Sequence, residues 1–187
     1  MTHPIQMIGG LLPEPVAAQV MVPDQVIGSP VWEDDAGSTT DAALIAAVST
    51  QTDSDWILPS VPGLSVCATT ENDGIEFGLE NRTGDDPNGL VDTVVVRCNM
   101  RYDLPIGGGG TATARMRLRE GTTTRATRSG ITLTTGFVQY SDPLTKAEID
   151  AISDWDNLRI FVDADVCVDT IGDEISFEVS RMQLDIN

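Results

Sequence analysis

Residues that could perform acid–base or nucleophilic chemistry are scarce in this sequence. His3 is the only histidine among 187 residues and lies near the first residue, so a histidine proton relay or a Ser-His-Asp triad has little support. The sequence also contains no Gly-x-Ser-x-Gly motif, which presents the nucleophilic serine in many hydrolases. We therefore predict that the chain is not an enzyme.

Acidic side chains are the other candidates for chemistry, and calcium is the metal that suits them, because Ca²⁺ prefers carboxylate and carbonyl oxygens. Asp163, Asp165 and Asp169 lie close together in the sequence, and Asn72 and Asp73 form a second group. Neither group has EF-hand spacing, and acidic loops are expected in a chain with a net charge of −18. We predict no cofactor and leave a calcium site open as the alternative.

Arginines recur at alternate positions in the middle of the chain, as they would on one side of a β-strand. The predicted arginine face consists of Arg97, Arg101, Arg115, Arg117 and Arg119. Arginine binds carboxylates through two parallel hydrogen bonds, so this face could dock against an acidic neighbour, for example the acidic N-terminal region of another copy. The alternative is a solvated sheet face whose arginines pair with acids of the same chain.

Residues 1–38 differ from the rest of the chain, with five prolines, four glycines and apolar residues that follow no helical period. Proline favours extended conformations, and the apolar content is too high for a solvated linker. We predict an extended N-terminal arm that binds a partner through seven apolar side chains: Ile5, Ile8, Leu11, Leu12, Val16, Val20 and Val22. The alternative is a flexible tail with one edge strand near residues 19–22.

The distribution of charge argues against nucleic acid as a partner, and the length of the apolar runs argues against a membrane. The chain has 29 acidic and 11 basic residues; its first 81 residues contain no lysine or arginine, and seven of its ten arginines lie between Arg97 and Arg128. Binding to nucleic acid through a basic surface is disfavoured, because phosphate affinity depends on clustered lysine and arginine. The longest apolar run, residues 42–48, is too short to cross a bilayer. We predict neither nucleic-acid binding nor membrane binding.

Strand patterns dominate from residue 64 onward. The predicted strands cover residues 64–69, 75–80, 92–102, 111–119, 124–135, 137–140, 157–162 and 175–186, and a short helix covers residues 42–48. Apolar and polar side chains alternate in residues 92–102 and 111–119, and the alternation slips near Ser180 and Arg181, which indicates a β-bulge. We predict an all-β fold: an antiparallel jelly-roll-type β-sandwich at residues 39–187, with one or two short helices and the extended N-terminal arm.

The segment after residue 140 combines a capping box, Thr145 with Glu148, with apolar residues that lead into the next strand. Its motif has eight members: Leu144, Thr145, Glu148, Ile152, Asp154, Trp155, Leu158 and Arg159. This segment, together with the helix and the Asp-Trp-Ile-Leu stretch within residues 41–60, resembles a β-sandwich domain of virion proteins from tailed bacteriophages. The resemblance covers residues 39–187.

The resemblance implies a structural, non-enzymatic protein that is located in the virion and assembled in the host cytoplasm. The expected role is capsid decoration or cement. The partners would be the major capsid protein or another virion protein, in a homo-oligomer with a trimer favoured. The arm lies outside the resemblance, so a neck, tail or fibre protein is an alternative. A carbohydrate- or host-surface-binding module is an alternative from another class. Under the first hypothesis, deleting residues 1–38 abolishes particle binding and leaves a folded sandwich.

Overall fold

The computed structural model describes residues 16–28, 32–49, 54–59, 74–90, 92–103, 110–169 and 176–187, without the side chains of residues 166–169. The predicted strand at residues 64–69 lies outside these ranges, as do Ile5, Ile8, Leu11 and Leu12 of the predicted arm. No helix within the described ranges is long and apolar enough to cross a membrane.

Strands account for most of the regular structure. In chain order the elements are β1 (Gln19–Met21), β2 (Pro23–Ile27), β3 (Trp32–Asp34), α1 (Asp41–Ser49), β4 (Ile57–Pro59), β5 (Ile75–Leu79), β6 (Val94–Asp103), β7 (Gly110–Glu120), β8 (Thr123–Thr132), β9 (Val138–Pro143), α2 (Lys146–Asp150), a 3₁₀ turn (Trp155–Asn157), β10 (Leu158–Asp169) and β11 (Ser176–Ile186). The neighbouring strands pair antiparallel.

The strands form two sheets that share one core. Sheet 1 has the order β3-β4-β11-β6-β9, with β1 also paired to β11, and sheet 2 has the order β2-β5-β10-β7-β8. Alternate side chains of the long strands face inward, such as Val96 and Met100 on β6 and Ala114 and Leu118 on β7. The fold is an antiparallel β-sandwich, which confirms the predicted class.

The predicted bulge forms on β11. The register of β11 against β6 shifts between Val179 and Arg181, so Ser180 is the extra residue, and it is fully buried. Because of this shift, Met182 and Leu184 return to the inner face, and the apolar pattern continues to the end of the strand.

β10 is longer than the strand predicted at residues 157–162. It continues to Asp169, and its register against β7 shifts between Ala164 and Val166. The sequence pattern does not predict this extension, because the carboxylate of Asp163 interrupts the apolar pattern of the strand. In the structure Asp163 lies opposite Arg115 of β7 and pairs with it. The cross-strand partner makes the acid compatible with the strand.

Residues 16–38 contribute to both sheets. β1 pairs with β11 in sheet 1, β2 pairs with β5 in sheet 2, and β3 pairs with β4. Trp32 of β3 is almost fully buried, with its ring edge-on to Phe177 at 6.0 Å between centroids. Three strands of the sandwich therefore precede the predicted boundary at residue 38. The sequence patterns missed β2, β3 and β4 because they are three to five residues long and two of them contain proline.

Both helices begin at residues with capping side chains. α1 extends one residue beyond each end of its predicted range, and Thr40 Oγ1 accepts the Ala43 amide at 3.4 Å. At α2, Thr145 Oγ1 accepts the Glu148 amide at 3.3 Å and the Glu148 carboxylate accepts the Thr145 amide at 2.7 Å. This reciprocal pair is the predicted capping box.

Gly74 precedes β5 at a point where the packing leaves no room for a side chain. A Cβ at this residue would overlap the ring of Phe161 and lie 2.7 Å from the carbonyl oxygen of Val162. We expect Gly74→Ala to lower the free energy of unfolding by about 1–3 kcal/mol, because the ring or the backbone must move. Gly136→Ala is the control, since nothing lies within 4 Å of its Cβ position. Urea denaturation followed by tryptophan fluorescence measures both, and equal midpoints for the two variants would contradict the prediction.

Candidate functional site

The structure divides the predicted arginine face between the two sheets. Arg97 and Arg101 point outward from β6 in sheet 1, whereas Arg115, Arg117 and Arg119 point outward from β7 in sheet 2. Alternation predicts which residues share one side of a strand, but the sheet that receives each strand depends on distant pairing, here β6 with β11 and β7 with β10. The five arginines therefore lie on two separate outer faces.

On sheet 1 both arginines pair with acids of β11. Arg97 forms an ion pair with Asp185, and Arg101 Nε donates to Glu178 at 2.6 Å. Burial raises the pKa of the Glu178 carboxyl, and the hydrogen bond and charge of Arg101 oppose that rise. The predicted arginine face requires these guanidinium groups to bind a partner, but Asp185 and Glu178 of the same chain already bind them.

Two aromatic rings flank Arg101 on the same outer face. Its guanidinium lies 4.5 Å from the ring centroid of Phe137 and 5.1 Å from that of Trp56, within the range of a cation–π contact. Both rings are half-buried. The cluster connects the residue before β4 with the residue before β9 through an arginine of β6, and nothing in the local sequence predicts this contact.

On sheet 2 the arginines of β7 have acidic and aromatic neighbours. Arg115 pairs with Asp163, with Nε to Oδ1 at 3.1 Å. Arg119 pairs with Glu76 at 3.4 Å and lies 4.6 Å from the ring centroid of Phe161. This arrangement corresponds to the alternative of a sheet face paired with acids of the same chain. A docking role for the arginine face stays a prediction.

The acids considered for calcium do not form a metal site in the part of the chain that the structure describes. Asp163 is buried against Arg115, and Asp165 lies at the register shift of β10. The side chain of Asp169 and residues 72–73 are outside the described part of the chain. Among the residues that are described, no group of three or more His, Cys, Asp or Glu side chains is placed to hold a metal ion. The absence of a cofactor stays a prediction, and a calcium site stays its alternative.

Three predicted arm residues are described, and they lie against the sandwich. Val16 is half-buried against the core, and its amide donates to Asp92 Oδ1 at 2.9 Å. Val20 is 46% exposed on the outer side of β1, and Val22 is half-buried between β1 and β2. Val16 is therefore held at a defined point of the sandwich.

Asp92 also shapes the turn beside this attachment. Asp92 as a residue is 5% exposed. Its carboxylate accepts the Asn88 amide through Oδ2 at 2.6 Å, while Asn88 Oδ1 accepts the Leu90 amide at 2.9 Å. Leu90, at 67% exposure, is the most exposed large apolar side chain in the described ranges. One buried carboxylate thus fixes residue 16 and supports the turn that exposes Leu90. The residue types at positions 85–89, which include Pro87, Asn88 and Gly89, indicate a turn in the sequence. The long-range hydrogen bond from Val16 to Asp92 has no such local indication.

Arg128 joins the two sheets at one open side of the sandwich. Arg128 is on the edge strand β8 and lies opposite Met116 of β7, which is buried in the core. The Arg128 side chain therefore also turns inward and reaches Asp142 on β9, with Nε to Oδ1 at 2.5 Å. Its NH1 donates to Glu148 of α2 at 3.2 Å. We call these three residues the seam cluster. It links sheet 2 to sheet 1 and to the capping box.

Burial and pairing shift the two acids of the seam cluster in opposite directions. Burial raises the pKa of Asp142, although Arg128 opposes the rise. Burial also disfavours the charge on Glu148, but the Thr145 amide and Arg128 outweigh it and hold the Glu148 pKa below its ordinary value. At neutral pH the charged form of Asp142 therefore depends more on Arg128 than the charged form of Glu148 does.

No protein-family model and no curated protein matches the sequence. Several solved structures are similar at low identity. A CBM4 carbohydrate-binding module is 8% identical, over 75% of this chain and 94% of its own, with a TM-score of 0.38. The Stig cyclase Fisc from Fischerella sp. TAU is 12% identical, over 89% and 88% of the two chains, with a TM-score of 0.41. The CBM22-1 xylan-binding domain of Paenibacillus barcinonensis Xyn10C is 10% identical, over 74% and 88%, with a TM-score of 0.29.

Removing the cation of the seam cluster should destabilise the sandwich in a pH-dependent way. We expect Arg128→Gln to lower the free energy of unfolding by roughly 2 kcal/mol at pH 7, less than for a fully buried pair because Arg128 is partly exposed. The loss should shrink as the pH falls from 7 toward about 4, since a protonated Asp142 no longer requires a cation. Urea denaturation at several pH values measures it.

Lys146→Gln is the matched control for this experiment. Lys146 forms an exposed ion pair with Asp150 on α2, and such pairs contribute little to stability. Asp142→Asn should also reduce the effect of Arg128→Gln, because the amide carries no charge to leave unpaired. A loss that is the same at every pH and in the Asp142→Asn background would contradict the role of the seam cluster.

Proposed function

We propose that the protein is a structural, non-enzymatic component of a phage particle, and in the first place a capsid decoration protein. The observation that supports this most is the attachment at Asp92, where one buried carboxylate fixes residue 16 and the turn that exposes Leu90. The apolar residues 1–15 start from this rigid point, beside an exposed apolar side chain. We expect both to dock on a neighbouring virion subunit while the sandwich acts as a rigid body.

The N-terminal segment has the reach that this role requires. Fifteen residues span at most about 50 Å when fully extended, whereas a compact domain of this size has a radius of gyration of about 15 Å. The segment can therefore contact a subunit beyond the surface of its own sandwich. Pro4, Pro13 and Pro15 reduce the conformational entropy that is lost when such a segment is ordered.

The contact should be apolar in character. Carboxylates of the same chain engage four outward-facing arginines, Arg97, Arg101, Arg115 and Arg119, and the chain carries a net charge of −18. Acidic surfaces repel one another, and salt screens that repulsion. Attachment through residues 1–15 should therefore persist, or strengthen, as the salt concentration rises.

Deleting residues 2–15 should abolish incorporation into particles without unfolding the sandwich. The shorter cut replaces the deletion of residues 1–38, because residues 19–34 supply β1, β2 and β3. Particles assembled with each variant in place of the wild-type chain can be purified and immunoblotted. We expect a strong band for wild type, no band for the deletion, and unchanged thermal unfolding of the purified deletion variant.

A full-length variant with Ile5, Ile8, Leu11 and Leu12 changed to serine separates apolar contact from length, and it should also fail to incorporate. Thr127→Val, on the exposed side of β8, is the control and should incorporate normally. Immunogold labelling and copy number then distinguish the capsid from the neck, tail or fibre. Absence of the wild-type protein from particles, or normal incorporation of the deletion variant, would overturn the proposal.

A further inference from the structure

A polar depression of about 110 Å³ opens on the outer face of sheet 2, between β2 and β10. Gly78 of β5 forms its floor, paired with Arg159 on one side and with Gln25 on the other. Six polar side chains line the depression: Asp24, Gln25, Asn81, Asp156, Asn157 and Arg159. All are exposed except Arg159, which is half-buried. Asp156 Oδ1 accepts the Arg82 amide at 2.9 Å, so Asp156 Oδ2 and the polar groups of the other five residues are accessible to a ligand.

Arg159 differs from the paired arginines of the sheet faces. Arg115 and Arg119 have carboxylate partners, whereas within the described ranges no carboxylate lies within 4 Å of the Arg159 guanidinium and no hydrogen bond engages it. Asp24 and Asp156 line the same depression without pairing with it. The guanidinium is therefore available to a bound molecule.

Packing does not require a glycine at position 78. A Cβ there would make ordinary contacts, at 3.4 Å to Gln25 Cβ and 3.6 Å to Ile27 Cδ1. Gly74 is the contrast, because its Cβ would overlap Phe161. A glycine inside a strand weakens the strand and often marks a place where a ligand approaches closely. Gly78 keeps the floor of the depression open.

From these observations we infer that the depression is a binding site for a neutral saccharide. Arg159 supplies hydrogen-bond donors, Asp24 and Asp156 supply acceptors, and the amides of Gln25, Asn81 and Asn157 supply both. Vicinal hydroxyl groups, which donate and accept at adjacent positions, match such a mixed set. Ile27 also lines the site and offers an apolar edge to the C–H face of a sugar ring.

The charge of the site selects against acidic sugars. Two carboxylates and one guanidinium line it, which leaves the depression with a net negative charge, and the whole chain carries a net charge of −18. The attraction of Arg159 for a sialic or uronic acid is therefore outweighed by repulsion that a neutral sugar does not meet. This site is separate from the N-terminal segment. Saccharide binding and attachment to a particle therefore succeed or fail independently.

Nuclear magnetic resonance of the ¹⁵N-labelled full chain tests the inference directly. Cellotetraose, xylotetraose and maltotetraose are the neutral probes, and 3′-sialyllactose is the acidic one, each at about 10 mM, ten times a millimolar Kd. We expect at least one neutral probe to shift the side-chain amide signals of Gln25, Asn81 and Asn157. The acidic probe should leave these signals in place.

Gly78→Val fills the depression and should weaken binding at least tenfold. A β-branched residue suits a strand, so we expect its melting temperature to equal or exceed that of wild type. Arg159→Gln should weaken binding while keeping the fold, and Thr127→Val on β8 should bind as wild type does. Three results would overturn the inference: no shift of these amides with any neutral probe, equal binding by Gly78→Val, or equal binding of the acidic probe.

Discussion

Pairing between arginine and carboxylate across neighbouring strands orders part of each outer face of the sandwich. Arg101 lies directly opposite Glu178, and Arg115 lies directly opposite Asp163. A slip of one residue would turn each partner to the other side of its strand, so the charges specify the register that the apolar core also requires. Arg128 applies the same pairing on the inner side, where it joins the sheets. The surplus of negative charge is left on the surface.

The sequence was most informative where a pattern was long or a local rule was strict. β6 and β7 are ten and eleven residues long with clean alternation, and the capping box depends only on Thr145 and Glu148. Short strands lacked this signal. β3 and β4 have three residues each, and their position is fixed by tertiary contacts, such as the packing of Trp32 on Phe177. The predicted strand ends at residue 162, because Asp163 interrupts the apolar pattern and its partner Arg115 is 48 residues away in the sequence.

The same distinction applies to the candidate sites. Alternation correctly placed Arg115, Arg117 and Arg119 on one side of a strand, but it could not reveal that acids would occupy the neighbouring positions. The depression at Gly78 has no local motif, because its lining comes from three segments that are distant in the sequence. Its distinguishing property is an arginine without a carboxylate partner among the described residues. That property exists only once the strands are paired.

The direct succession of β1 and β2 has a mechanical consequence. The two strands are separated by one residue, yet β1 pairs with β11 in sheet 1 and β2 pairs with β5 in sheet 2. Tension applied at residue 16 along β1 would load its hydrogen bonds to β11 in shear, so the bonds would have to break together. The load would then pass through β2 into the second sheet. The sandwich would bear a pull on its N-terminal segment with both layers and with little extension.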